Sequence, residues 1–362
     1  MSTILVLNNY DISSFAEERP IFPDQFFYGV NYLHRRGDKV VVLNSNAKRM
    51  LDVIAAVNKG LRMHIPLGDL SQQWNALPEM RSADLIYCPC DTVAQFLCYL
   101  RAVGIIRVPI VCLAHHPPLG GRASVIRRPW VKLALKGTAA FPSLSRAVAN
   151  QINLLAPGRA LSSALKWGPD LTYYPQYRPG REGVISAGRT GRDFVTFGRA
   201  ASRTSSSVTI VCPTRYVVDE FNEFKSNVTI LANPDEMHFT YRELIEMYSK
   251  TQAIAIPMAE TSSLCGISSL LDALGMGRAV IMTRNSLIDI DVEGEGIGFT
   301  IAPGDIDGWQ RAIQFIEDNP NEAQAMGYRA RCFAEERYNS ELFAESLLKI
   351  IDRVLEENVS GA

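Results

Sequence analysis

Short runs of apolar residues alternate along this chain with longer stretches in which apolar and polar positions recur at helical spacing. In the first half, Ile4–Leu7, Lys39–Leu43, Leu61–Ile65, Ala83–Tyr87, Val108–Leu113 and Ala139–Leu144 read as strands. Most are apolar throughout and not only at every second residue, the habit of parallel strands covered on both faces. Helices are predicted over Asp24–Arg36, Ala47–Asn58, Thr92–Ala102, Trp130–Lys136 and Ala147–Leu155, the first punctuated by Pro23 and Gly37. The texture then breaks. Ala164–Pro175 and the following QYRPGREG carry prolines and aromatic residues without periodicity and read as an interdomain linker.

A second series follows. Its strands are Val184–Ala187, Val208–Val211, Val228–Leu231, Ala253–Ile256, Ala279–Met282 and Gly298–Ile301. Its helices are Asp193–Ala201, Tyr241–Lys250, Ile267–Leu274, Ile306–Asp318 and Asn321–Arg337, and Ser340–Glu357 adds an amphipathic helix with Phe343, Leu347, Ile351 and Val354 on one face. The expected fold class is α/β, with two doubly wound, Rossmann-like domains over residues 1–168 and 169–337 and a terminal helix, 338–362, packing back toward the first domain. Such sheets bind ligands at their carboxyl edges, so the two domains are expected to face each other across a cleft.

Composition narrows this little. A length of 362 residues suits two domains, and 47% hydrophobic with 21% charged residues is a soluble globular balance. A formal net charge of −1 gives no pull toward nucleic acid. No apolar run is long enough to span a bilayer, and MSTILVLNNYD enters a strand without a signal peptide, which points to the cytoplasm. The seven cysteines are scattered, and Cys88-Pro89-Cys90 has no second pair, so they read as small core residues and not as a zinc site.

The densest candidate chemistry lies in Glu260–Met282. After the strand Ala253–Ile256 and Pro257, a helix opens on Gly266, Ile267, Ser268 and Ser269. Unpaired N–H groups and the positive end of the helix dipole make that entry an anion site suited to phosphate. Asp272 stands where a carboxylate could reach a ribose. In the first half, His115 and His116 directly follow the strand Val108–Leu113, where side chains point into the ligand crevice.

Several segments together resemble the GT-B glycosyltransferases, in particular the large retaining group called family 4. ISAGRTGRDFVTFGRA at 185–200 resembles the family's strand, Gly-Arg turn and helix; YRELIEMYSKTQAIAIP at 241–257 is similar to the run into its donor loop. LLDALGMGRAVIM at 270–282, GFTIAPGD at 298–305 and Met326–Tyr338 resemble later segments, and KWGPD at 166–170 the exit from the first domain. The resemblance implies a GT-B fold and transfer of a sugar from a nucleotide-diphosphate donor, of UDP or GDP type, to an acceptor hydroxyl, with retention and with neither metal nor other cofactor. It casts Gly188 with Arg189 and Arg192 as the diphosphate clamp, Gly266–Ser269 and Asp272 as donor contacts, and His115 beside the reacting carbon. Two glutamates eight positions apart usually flank the donor; here the second falls on Asp272 and the first on Leu264, with Glu260 the nearest acid that a re-routed loop would bring in.

On the acceptor side the candidates are Asn9, Asp11 and His116, with Asp11 the substitute base for an inverting mechanism. Expected partners are the nucleotide sugar and a glycan, lipid-linked or small-molecule acceptor, in polysaccharide, glycolipid or glycoconjugate synthesis. Residues 122–136, where Arg122, Arg127, Arg128, Lys132 and Lys136 interleave with Val125, Ile126, Trp130 and Val131, suit a peripheral contact with an anionic membrane at its inner face. Rival readings are a sugar-nucleotide epimerase of the same architecture and a non-catalytic nucleotide-sugar binder.

Overall fold

A computed structural model describes residues 1–17, 22–43, 65–119, 124–175, 177–233, 240–259 and 261–360. The chain divides into two compact units, Met1–Trp167 with Ser340–Ala362, and Gly168–Asn339.

The first unit is built on four parallel strands, β1 (Thr3–Leu7), β2 (Lys39–Leu43), β3 (Leu85–Cys88) and β4 (Ile110–Cys112), in the order β2-β1-β3-β4. The chain order reverses between β1 and β3, so the loops after these strands flank the crevice where such sheets take ligands. The strand expected over Ala139–Leu144 is reduced to isolated parallel bridges, Val111 with Ala140 and Ala114 with Ser143. Pro142 in its middle has no N–H to give to a ladder.

The helix expected over Asp24–Arg36 is two pieces, a 3-10 turn Asp24–Phe27 and an α-helix Val30–Arg35. Tyr28 and Gly29, at φ 48° and 83°, turn the chain left-handed between them. The helix expected from Trp130 begins earlier and runs Ser124–Gly137, and a helix that periodicity misses, Leu70–Glu79, is capped by the Asp69 carboxylate accepting from Ser71 and Gln72 N–H. The elements expected over Ala47–Asn58 and Leu61–Ile65 lie outside the described residues, apart from Ile65.

The helix Ser340–Ser360 completes this unit with Phe343, Leu347, Ile351 and Val354 buried. Gly29 is required there, since a Cβ on it would stand 2.6 Å from Leu347 Cδ2. Arg36 pairs with Asp352 at 2.7 Å.

The second unit carries six parallel strands: β5 (Glu182–Ala187), β6 (Val208–Pro213), β7 (Val228–Asn233), β8 (Thr251–Ile256), β9 (Ala279–Thr283) and β10 (Gly298–Ile301). Their order is β10-β9-β8-β5-β6-β7, with the reversal between β5 and β8. Val184, Ile210, Ala255 and Ile281 of the sheet pack with Phe197, Trp309 and Ile313 of the covering helices, and Trp309 meets Phe197 edge-on at 5.2 Å. Tyr241–Lys250 starts on a capping box made by Thr240 and Glu243.

Candidate functional site

In the second unit, the loops leaving β5 and β8 are stitched together. Arg192 and Met258 form an antiparallel bridge, Asp193 N–H donates to Pro257 O at 3.1 Å, and Ala259 N–H to Gly191 O at 2.9 Å. The turn is also pinned from β6: Tyr216 Oη accepts from Gly191 N–H at 3.1 Å and donates to Arg189 O at 3.0 Å. This stitching pulls Arg192 inward until it is 7% exposed. Its Nη2 donates to Ser269 Oγ at 2.7 Å, Nε and Nη2 share the Ala187 carbonyl at 3.2 and 3.1 Å, and Nη1 lies 2.7 Å from Met258 Sδ, a weak acceptor. Among the described residues no carboxylate forms an ion pair with it. Burial pushes its pKa down, with Tyr248, Cys265, Tyr216 and Asp272 opposing the shift, yet a guanidinium stays charged.

Gly188 and Gly266 make room for this arginine. A Cβ on Gly188 would lie 2.2 Å from Arg192 Nε, and one on Gly266 3.3 Å from Nη1. Gly266, at φ 92°, is the N-cap of the helix Ile267–Met276, and no side chain caps that end. The buried cation, the uncapped helix N-terminus and the glycine turn therefore meet at the switch point of the sheet. A buried charge without a counter-ion is costly unless something pairs with it. The same unit holds a buried arginine of the opposite kind. Arg278 stands just before β9, at the amino edge, and spends its guanidinium on the carbonyls of Tyr248, Ser249 and Arg178 at 2.7–2.9 Å. Arg192 is the buried arginine at the ligand edge.

The other donor-side expectations fare differently. Arg189 is exposed, and its guanidinium meets no carboxylate among the described residues. Ser268 and Ile267 are half-buried beside Ser269. Asp272, expected against a ribose, turns inward: it is 4% exposed, and its Oδ1 accepts from the hydroxyls of Tyr174, at 2.8 Å, and Tyr241. Gly275 permits this, because a Cβ there would meet the Tyr174 ring at 2.6 Å. Burial holds the Asp272 carboxyl up at about 6, against the pull of the two tyrosines and Arg192. Leu264, where a glutamate was expected, is a buried apolar residue, and Glu260 lies outside the described residues.

In the first unit His115 sits after β4 with its Nε2 2.7 Å from the Pro89 carbonyl. A carbonyl only accepts, so Nε2 carries the proton and Nδ1 keeps its lone pair. Burial pushes the ring's pKa down to about 4, with Pro89 opposing and His116 assisting, so the imidazole is neutral. It packs on Tyr28 at 4.8 Å, and Tyr28 stacks on Trp167 at 5.1 Å. Trp167 donates to Gln25 O at 3.0 Å, so it is a packing residue, as is Tyr174. Asn9 and His116 are exposed. Asp11 is exposed too, and its Oδ1 accepts from Ser13 N–H at 2.8 Å, which lowers its pKa and ties it to the turn that follows β1.

Asp91 is not among the residues that the sequence singles out. It follows β3 as His115 follows β4, the same strand-end position that singled out the histidines, and burial raises its carboxyl to about 7 despite backbone N–H groups of Asp91 and His115 that favour the charged form. Among the described residues no group of His, Cys, Asp or Glu is placed to hold a metal ion, and no helix is long and apolar enough to cross a membrane.

No protein-family model matches the chain, and no curated protein sequence matches it. Solved structures do. Sucrose-phosphate synthase from Thermosynechococcus elongatus superposes with a TM-score of 0.71 at 13% identity, covering 99% of this chain and all of that one. HepE from Anabaena, solved with UDP-glucose, gives 0.67 at 14% identity over 98% of this chain and all of its own. The lipopolysaccharide outer core galactosyltransferase WaaB gives 0.59 at 10% identity over 97% and 99%. The fold is therefore the GT-B fold that the sequence segments implied.

Proposed function

We propose that this protein is a metal-independent, retaining glycosyltransferase that uses a nucleotide-diphosphate sugar, of UDP type, as donor. The observation that carries the reading is Arg192, a buried cation that forms no ion pair with a carboxylate among the described residues, set between the Gly188 turn and the N-terminus of Ile267–Met276. A diphosphate supplies the missing charge. Its oxygens would take the Arg192 guanidinium, backbone N–H groups of Gly266–Ser269 and, from the rim, Arg189. When the bond between the sugar's anomeric carbon and the phosphate oxygen breaks, the electron pair stays on that oxygen, and cations already in place lower the barrier. HepE, of the same fold, was solved with UDP and with UDP-glucose, which favours uridine over guanosine donors.

The neutral His115 fits a place beside the sugar, since it offers an Nδ1 acceptor and no competing positive charge. The helix Ser124–Gly137 exposes Val125 by 82% and Ile126 by 57% beside Arg127 and Arg128, which supports a peripheral contact with an anionic membrane. The deciding measurement is a thermal-shift panel of UDP, GDP, UDP-sugars and GDP-sugars. A UDP compound at a hundred times its dissociation constant should stabilise the native chain by about 2.7 kcal/mol. If none of the nucleotides raises the melting temperature, the reading is wrong; if a donor is isomerised without transfer, it is an epimerase.

A further inference from the structure

The first unit contains a cavity of about 580 Å³, within the usual size range of small-molecule sites. Its lining is divided. Asp91, Thr92 and His116 stand at one end, on the loops that leave β3 and β4 at the carboxyl edge of the sheet. Cys112, Leu135 and Phe141 form the other end and are at most 7% exposed. The helices Gln95–Ala102 and Ser124–Gly137 supply the side walls.

The two ends ask for different chemistry. A free sugar would leave its hydroxyls unpaired against the apolar wall, at a cost for each. A plain hydrocarbon would leave the polar groups of Asp91 and Thr92, at the other end of the cavity, facing apolar surface. A molecule with a hydroxyl on one end and an apolar chain or ring on the other satisfies both. Building on the glycosyltransferase reading, we infer that this cavity is the acceptor site and takes an amphipathic alcohol, its hydroxylated head at Asp91 and Thr92 and its apolar part against Leu135 and Phe141. The site lies wholly within the first unit, so its occupancy does not depend on the donor.

Alkyl glucosides below their micelle concentration are the probe. Titration of the full chain with hexyl and octyl glucoside, followed by calorimetry, should show octyl binding roughly tenfold tighter than hexyl, the worth of two buried methylenes. Glucose alone should bind too weakly to measure. Ala134→Phe, which puts a ring into the cavity wall, should abolish octyl glucoside binding and leave the thermal shift with UDP intact. Asp91→Asn should weaken binding of every chain length by the same factor. In the wild-type chain, octyl glucoside should slow hydrogen exchange in Gln95–Ala102 and Ser124–Gly137, a result that stands whether or not the Phe variant folds. Equal affinity for all three compounds, an unaffected Ala134→Phe variant, or protection confined to other helices would each overturn the inference. A chain that binds UDP and no alkyl glucoside loses this inference alone; one that binds the glucoside and no nucleotide loses the donor reading instead.

Discussion

The two sheets end in edges of the same design and opposite chemistry. In the second unit the loops at the reversal point enclose a buried guanidinium, with a second arginine exposed on the same turn. In the first unit the loops after β4 and β3 hold, in turn, a histidine kept neutral and a carboxyl raised to about 7. Burial drives all three shifts, but its consequence depends on the group. His115 and Asp91 can shed their charge near neutral pH, whereas an arginine cannot, so the second edge keeps a buried positive charge open to an anion. The fold provides the crevice twice, and on the function proposed above the side chain that cannot be neutralised marks the one suited to a diphosphate.

The comparison breaks most sharply at Arg192. Arg192→Ala should lower the rate of transfer by roughly a hundredfold to a thousandfold and abolish the thermal shift with UDP, with Arg192→Lys in between, as steady-state kinetics and melting curves would show. An unchanged UDP shift in the Ala variant would remove the basis for distinguishing the two edges. Gly188→Ala tests the same site without touching charge. Its methyl must displace a guanidinium 2.2 Å away, so nucleotide affinity should fall by at least about tenfold in calorimetry while the fold persists.

Asp272 sharpens the contrast at a smaller scale. Asp272→Ala removes the acceptor that the Tyr174 and Tyr241 hydroxyls share, leaving them only each other at 2.9 Å, and should cost about 1–3 kcal/mol in urea unfolding. Asp272→Asn keeps an acceptor and should be close to neutral. Because its carboxyl sits at about 6 instead of 3.8, the folded chain holds a proton that the unfolded chain releases. The stability from that proton is complete below pH 3.8 and is lost as pH rises through 6, a slope the Asn variant should lack.

His115 gives a pH effect of the opposite sign. With its pKa moved from 6.5 to about 4, the folded chain refuses a proton that the unfolded chain accepts, so stability declines as pH falls from 6.5 toward 4. His115→Asn should flatten that decline in the same urea series.

Local signals sufficed wherever they were the forces that set the structure. Tyr241–Lys250, Gly298–Ile301 and Ile306–Asp318 fall where the pattern places them, because caps, glycines and buried β-branched runs act over a few residues. The break at Tyr28 was illegible. Its left-handed backbone is held by Tyr87 donating to its carbonyl at 2.8 Å and by the rings of His115 and Trp167, partners 59, 87 and 139 positions away. Sequence favours Arg189 over Arg192 as the clamp; the bridge to Met258 buries Arg192, while Arg189 stands in solvent. Asp272 has the spacing of a donor ligand, and the tyrosines that claim it come from positions 174 and 241. Asp91 was within reach, since it occupies a strand end as His115 does.

The helix Ser340–Ser360 has a consequence for the order in which the protein is made. It belongs to the first unit, although the whole second unit is translated between them. When Trp167 leaves the ribosome, the unit still lacks the helix that buries Phe343, Leu347, Ile351 and Val354 and pairs Asp352 with Arg36. The second unit is contiguous and can close on itself as it emerges. The half of the molecule that begins first is therefore the half that finishes last, and a nascent chain arrested within the second unit leaves the surface around Gly29 without the helix that packs on it.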